Sequence, residues 1–227
     1  MCWPVMIFAA GFGTRMRPLT LDRPKPLIKV GGQPLIDRAL GLARALPAER
    51  IVVNVHYKAE MLAHHLSDAE VQVITEVPEI LDTGGGLKNA LPQMGHQTVM
   101  TLNPDVIWHG PNPLVHLAKA WDPTRMDALL MCVPMAQTIG RKDDGDFAVD
   151  PDGRITRGAG HVYGGCQIIK TDRLSEISET VFSLNRLWDM MAACNSLYAA
   201  IYTGLWCDVG SPEGILEAEA VLGPPHV

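Results

Sequence analysis

Two glycines and three cations crowd one short stretch of this chain, Ala9-Ala10-Gly11-Phe12-Gly13-Thr14-Arg15-Met16-Arg17-Pro18-Leu19-Thr20 followed by Pro24-Lys25-Pro26-Leu27. The glycines free the backbone to curl, so that successive N–H groups point into one concavity, and such a concavity binds phosphate oxygens. Arg15 and Arg17 suit a polyphosphate with many oxygens, whereas Lys25 is a point charge for a single phosphate. Two acids stand much later in the chain, Asp105 in Asn103-Pro104-Asp105 and Asp208 in Trp206-Cys207-Asp208-Val209-Gly210. Mg²⁺ is typically held by one or two carboxylates plus substrate phosphates. An amide cradle, cations and a pair of carboxylates together point to chemistry on a phosphate chain.

Two familiar glycine loops are excluded. The dinucleotide fingerprint requires a third glycine where this chain has Met16, which removes a nicotinamide dehydrogenase from consideration. A P-loop requires Gly-Lys-Ser/Thr, which occurs nowhere. Pro18, Pro24 and Pro26 also prevent a long helix from starting directly after the glycines.

The elements that must position these residues follow from hydrophobic periodicity. Val5-Met6-Ile7-Phe8 reads as a buried parallel strand that delivers the glycine loop. After a Gly31-Gly32 turn, residues 33–46 read as an amphipathic helix with Leu35, Ala39, Leu42 and Leu46 on one stripe. Strands are expected over 51–55, 71–75, 99–102, 128–133, 162–169, 197–202 and 205–207, and helices over 59–66, 87–91 and 184–193. Ser211-Pro212 caps a last helix through Leu222. Alternating strands and helices indicate a parallel sheet covered by helices, with ligands at the carboxyl ends of the strands. The Gly- and Asp-rich residues 137–161 read as an excursion over that face. With no repeat, linker or low-complexity tract, residues 1–227 read as one domain.

The bulk numbers agree with such a protein. A chain of 227 residues can bury roughly 70–75% of its unfolded surface and needs no staple. A net charge of −6 supplies no broad basic face, which argues against a nucleic-acid binder. The five cysteines (2, 132, 166, 194 and 207) form no C-x-x-C pair and read as reduced thiols of a cytoplasmic protein. Cys132, Cys166 and Cys207 lie in apolar runs and are expected in the core. The start, Met-Cys-Trp-Pro, lacks the basic region of a signal peptide. No segment approaches the roughly 18–20 apolar residues that would span a bilayer. His64-His65 reads as solvated, and Trp188, Met190 and Met191 as core.

The pattern A-A-G-x-G-T-R-M-x-P-L-T with P-K-P-L resembles the signature of the sugar-1-phosphate nucleotidyltransferases. That resemblance covers essentially the whole chain and implies a three-layer, Rossmann-like α/β sandwich with a mostly parallel central sheet, of the glycosyltransferase A-like type. No C-terminal β-helix is expected. It implies an enzyme that makes an NDP-sugar and pyrophosphate from an NTP and a sugar 1-phosphate, with Mg²⁺ as cofactor. On the matching positions, Ala10, Gly11, Gly13 and Thr14 bind nucleotide phosphates, Arg15 takes the leaving pyrophosphate and Lys25 the sugar or α-phosphate. Gly84 and Gly85, in Leu81-Asp82-Thr83-Gly84-Gly85-Gly86, lie against the base. Asp105 and Asp208 hold the metal, and Asp146 and Gly165, in Gly145-Asp146-Phe147 and Tyr163-Gly164-Gly165, meet the sugar. The short length, the L-D-T-G-G-G loop, the G-D-F segment and the W-x-D-V-G end are most similar to the uridylyltransferases of N-acetylmuramate 1-phosphate. UTP is therefore the expected nucleotide, in a monomer or small homo-oligomer.

Two alternatives and one departure bear on that expectation. Mannose-1-phosphate guanylyltransferases carry the same core signature, and Thr75-Glu76-Val77-Pro78 lacks the Gln that many uridylyl enzymes have before the base loop. A non-catalytic nucleotide-sugar-binding subunit would not need both carboxylates. The family usually has Gly before its first metal aspartate, where this chain has Pro104, which removes an N–H contact to phosphate or sugar.

Overall fold

The computed structural model describes residues 3–95 and 97–223. Cys2 lies outside the described residues. The strands are β1 (Trp3–Phe8), β2 (Lys29–Val30), β3 (Gln33–Pro34), β4 (Ala48–Val55), β5 (Gln72–Thr75), β6 (Thr98–Leu102), β7 (Val106–His109), β8 (Ala128–Pro134), β9 (Thr138–Ile139), β10 (Phe147–Val149), β11 (Ile155–Arg157), β12 (His161–Lys170), β13 (Leu197–Ile201) and β14 (Leu205–Asp208). The helices are α1 (Leu35–Arg44), α2 (Ala59–His65), α3 (Asp82–Met94), α4 (Pro113–Ala120), α5 (Asn185–Ala193) and α6 (Pro212–Leu222).

β5, β4, β1 and β6 form a parallel core in that spatial order. β12 runs antiparallel beside β6, and beyond it lie β8 and β13, parallel to one another. The core strands are apolar on both faces because both are covered. Val5 and Ile7 of β1 join Ile36, Leu40, Leu62, Leu114 and Leu117 from α1, α2 and α4 on one side. Met6 joins Leu87, Met94, Leu187 and Met191 from α3 and α5 on the other. This is the three-layer α/β architecture with a mostly parallel sheet.

A second sheet, in the order β7-β14-β9, stands apart from the main one. It rests with α6 on its own small core of Met16, Ile28, Val30, Leu35, Ile107, Cys207, Val209 and Ala218. Ser211 caps α6 as its type and position require, its hydroxyl accepting from the Gly214 amide at 3.4 Å. Cys132, Cys166 and Cys207 are buried and Cys194 is exposed. Trp188 and Met191 are buried, and His64 and His65 are exposed, the His65 ring 2.7 Å from Asp37 Oδ1. No helix among the described residues is long and apolar enough to cross a membrane.

Candidate active site

The glycine loop leaves the carboxyl end of β1 and closes into a single 3-10 turn, Thr14–Met16. Gly13 has φ +61°, and a Cβ there would lie 2.9 Å from Thr20 Cγ2 and 3.0 Å from Lys25 Cβ. Only glycine both adopts that backbone without strain and leaves that space. The Gly13 carbonyl then accepts from Met16 N at 3.0 Å and from the Thr20 hydroxyl at 2.8 Å. Among the described residues, the amides of Gly11 through Arg15 donate to no protein acceptor. The loop therefore presents unpartnered N–H groups, the requirement for an anion cradle.

Lys25 sits in a second 3-10 turn, Lys25–Leu27. It is buried, with its Nζ 2.6 Å from Asp105 Oδ2. The carboxylate explains the burial, because a charge leaves water only when paired. Arg15 is 71% exposed, and its Nη1 lies 3.9 Å from Asp208 Oδ2, a contact at the outer limit of an ion pair that restrains the side chain little. Gly210 makes room for that approach, since a Cβ there would lie 2.7 Å from Arg15 Nη1.

Asp105 follows β6 and leads directly into β7. Asp208 ends β14, which pairs antiparallel with β7 and sets Asp208 opposite Val106. The Val209 amide also donates to the Asp105 carbonyl at 3.0 Å. The two carboxylates thus meet through the small sheet, and not along one edge of the central sheet. Burial, then the neighbouring Asp105 charge, raise the Asp208 carboxyl above its ordinary value, against the opposing pull of Lys25, Arg15 and Arg141. The folded chain holds that proton more tightly than the unfolded chain, so stability falls as pH rises through the folded pKa. Asp208→Asn is accordingly expected to melt higher than wild type at neutral pH, with an advantage that shrinks as pH falls toward the ordinary carboxylate range. Asp105→Asn is expected to melt lower, because it strands the buried Lys25 charge. Melting temperatures across a pH series check both signs, at about 2–4 °C per kcal/mol for a chain of this size.

Three adjoining hollows converge on Asp105. The first is lined by Gly11, Gly13, Thr14, Arg15 and Lys25. The second runs past Asp208, Arg141, Asp146, Gly165 and Trp188. The third is lined by Ala10, Gly11, Asn54, Glu76, Asp82 and Thr83. In the second, Asp146 is held in place: Oδ1 accepts from Arg141 Nη2 at 3.0 Å and Oδ2 from the Tyr163 amide at 2.8 Å. Gly165, at φ +95°, lies where β12 shifts register against β8, and its carbonyl accepts from Asn103 N at 2.7 Å. The excursion over 137–161 carries β9, β10 and β11 and delivers both Arg141 and Arg157 to this hollow.

Gly84 and Gly85 are not in a loop before a helix; they form the first turn of α3, which starts at Asp82. Both amides donate to the Phe182 carbonyl, at 2.9 and 3.0 Å. A Cβ on Gly84 would collide with the Phe182 ring, and one on Gly85 with the Thr180 carbonyl. These glycines let segment 180–182 lie against the helix, and Asp82 and Thr83 are the residues of the motif that face the hollow.

Asn54 and Glu76 carried no signal in the sequence as site residues. Asn54 Oδ1 accepts from the Ala9 amide at 2.8 Å, and its Nδ2 donates to Glu76 Oε1 at 2.7 Å. Glu76 Oε2 accepts from the Leu81 amide at 2.8 Å. This chain of bonds ties the glycine loop to the start of α3, and a Cβ on Gly86 would sit 2.7 Å from Glu76 Oε1.

The profile of the MobA-like NTP transferase domain matches residues 5–195. This chain belongs to the MobA-like NTP transferase family. Among curated relatives, the chain is 40% identical to the N-acetylmuramate alpha-1-phosphate uridylyltransferase of Caulobacter vibrioides, over 96% of each chain. It is 30% identical to the enzyme of that name from Neisseria meningitidis, over 96% of this chain and 97% of the relative. Mannose-1-phosphate guanylyltransferase 1 of Arabidopsis thaliana is more distant, at 25% identity over 91% of this chain and 61% of the relative. Among solved structures, HddC from Yersinia pseudotuberculosis complexed with GMP-PN superposes with a TM-score of 0.77 at 22% identity, over 97% of this chain and 100% of the other. As a MobA-like NTP transferase with these relatives, the chain is a sugar-1-phosphate nucleotidyltransferase.

The family reaction is nucleotidyl transfer, which requires no covalent enzyme intermediate. Burial pushes Cys132 and Cys166 well above the ordinary thiol value and Cys207 to about 12, so all three remain protonated at neutral pH and unreactive.

Proposed function

We propose that this nucleotidyltransferase joins UTP to N-acetylmuramate 1-phosphate and releases pyrophosphate. The observation that carries the reaction is the meeting of three hollows at Asp105, between Lys25 and Asp208. The choice of substrates is supported by the 40% identity to the Caulobacter vibrioides enzyme. The amides of Gly11, Gly13 and Thr14 and the Arg15 guanidinium take the β- and γ-phosphates; Ala10, Asp82 and Thr83 border the base. The sugar lies along Asp146 and Gly165, with its phosphate toward Lys25. A sugar-phosphate oxygen attacks the α-phosphorus, a new P–O bond forms, and the bond to the β-phosphate oxygen breaks opposite to it. Positioning and charge neutralisation carry the catalysis, as in other phosphoryl transfers.

Asp105 and Asp208 fit Mg²⁺, because both are hard oxygen donors at the facing ends of β7 and β14, both border the hollow of Asp146 and Gly165, and Asp105 also borders the glycine-loop hollow expected to hold phosphate. Bound there with the substrate phosphates, Mg²⁺ would neutralise the charge that develops on their oxygens. The pyrophosphate released from a matrix of nucleoside triphosphates against sugar 1-phosphates tests the assignment. UTP with N-acetylmuramate 1-phosphate is expected to give the largest kcat/KM. A larger value for GTP with mannose 1-phosphate would move the chain to the guanylyltransferases, and no pyrophosphate from any pair would make it a binding subunit.

A further inference from the structure

We propose that Lys25 and Arg15 act as stand-in cations on the two carboxylates of the substrate-free site, so that nucleotide and divalent ion enter by an exchange of partners. This inference rests on the proposed Mg²⁺-dependent reading. Each carboxylate assigned to the ion already carries one of the cations assigned to phosphate: Lys25 Nζ is 2.6 Å from Asp105 Oδ2, and Arg15 Nη1 is 3.9 Å from Asp208 Oδ2. The two cations also line the hollow that presents the free amides of the glycine loop. A phosphate chain in that hollow lies within reach of both cations.

The two pairings differ in strength. The Lys25 side chain is 11% exposed, and its backbone is fixed by the bond from Ile28 N to the Lys25 carbonyl at 2.9 Å. The ammonium is a compact charge on a flexible stem, so it can turn from carboxylate to phosphate without moving that backbone. Arg15 is exposed and loosely paired. A divalent ion arriving alone must displace Lys25 from Asp105 with nothing in return for the displaced ammonium. Arriving with a triphosphate, it leaves Lys25 and Arg15 on phosphate oxygens and takes the carboxylates, so every charge stays paired. Ion and nucleotide therefore raise one another's affinity by the same factor, beyond their association in solution.

Mn²⁺ binding to the nucleotide-free protein, read by electron paramagnetic resonance of the free ion, tests this without turnover. Lys25→Met removes the stand-in while keeping the stem, and is expected to lower the Kd for Mn²⁺ by about tenfold, equivalent to about 1.4 kcal/mol. Lys25→Arg keeps a cation on Asp105 and is expected to bind Mn²⁺ as wild type does. Arg15→Met alters a side chain that is 71% exposed, so its fold is not at issue, and a smaller gain is expected from the looser pair. An unchanged Kd in both methionine variants, with normal Mn²⁺ uptake once UTP is added, overturns the stand-in role and leaves the Mg²⁺ reading intact. No Mn²⁺ uptake by any variant, with or without UTP, overturns both.

Discussion

Asp105→Asn and Asp208→Asn are each expected to lower kcat/KM at limiting Mg²⁺ by about 10²–10³-fold, the scale on which removing one preorganised electrostatic group acts. Both residues border the same hollow, Asp105 just before β7 and Asp208 at the end of the facing strand β14. If they serve one ion, the losses do not add, and the double variant is little worse than the worse single one. High Mg²⁺ partly rescues each single variant, because one carboxylate and the substrate phosphates still bind the ion, and it fails to rescue the double. Steady-state kinetics over a Mg²⁺ series decide the matter, since losses that multiply without Mg²⁺ dependence would assign the two acids separate roles. Pro104→Gly is the control for Asp105. It restores an amide without touching the carboxylate, and activity stays within about tenfold if β6 and β7, and not the proline ring, set the position of the acid.

Gly13→Ala is expected to damage both fold and chemistry. At φ +61° a side chain is already strained, and the added Cβ would press on Thr20 and on the stem of Lys25. Strain of this kind costs about 1–3 kcal/mol. The larger effect falls on turnover, because the contact pushes Lys25 and the loop amides apart; a displacement of about 1 Å in a positioning group can cost about 10²-fold. Gly11→Ala is the matched comparison: nothing lies within 4 Å of a Cβ there, so the fold is expected to tolerate it. Denaturant midpoints and kcat/KM for the two variants should therefore separate widely. A lower midpoint with unchanged kcat/KM would mean that Gly13 is present only for its turn.

Much of this arrangement is legible in the chain because it is local. The β-branched run Ile51-Val52-Val53 and the apolar run before the glycine loop mark buried parallel strands whatever their neighbours, and Ser211-Pro212 starts a helix by its own chemistry. The reversed direction of β12 is not local, since it depends on partners far away in sequence. The start of α1 is expected at Gln33, yet Gln33-Pro34 pairs with β2, and Pro34 at ψ 143° delays the helix to Leu35. The glycines before Leu87 read as a loop from their low helix propensity, and packing against Phe182 overrides it. β7 and α4 have local signals of their own, Val106-Ile107-Trp108 and the cap Asn112-Pro113, in which the Asn112 side chain accepts from Leu114 N and Val115 N, but no strand–helix alternation around them announces either.

The candidate site divides the same way. The glycine loop, Arg15 and Lys25 form one stretch, so spacing alone brings them together. That Lys25 is buried on Asp105 required the pairing of residues 80 positions apart, which no periodicity carries. Asn54 and Glu76 look like ordinary ends of short strands, and their place beneath the glycine loop follows only from the order of the sheet.

The small sheet also sets the order in which the site is completed during synthesis. β14 lies between β7 and β9, both made long before it, and it carries Asp208. A growing chain that has emerged through Ile201 already contains all nine strands of the main sheet, the phosphate cradle, Lys25 and Asp105. It still lacks the second carboxylate and the strand that joins its two flanking strands. On the ribosome the strands of the main sheet, the glycine loop, Lys25 and Asp105 can thus all have been made while Asp208, on β14, is still to come.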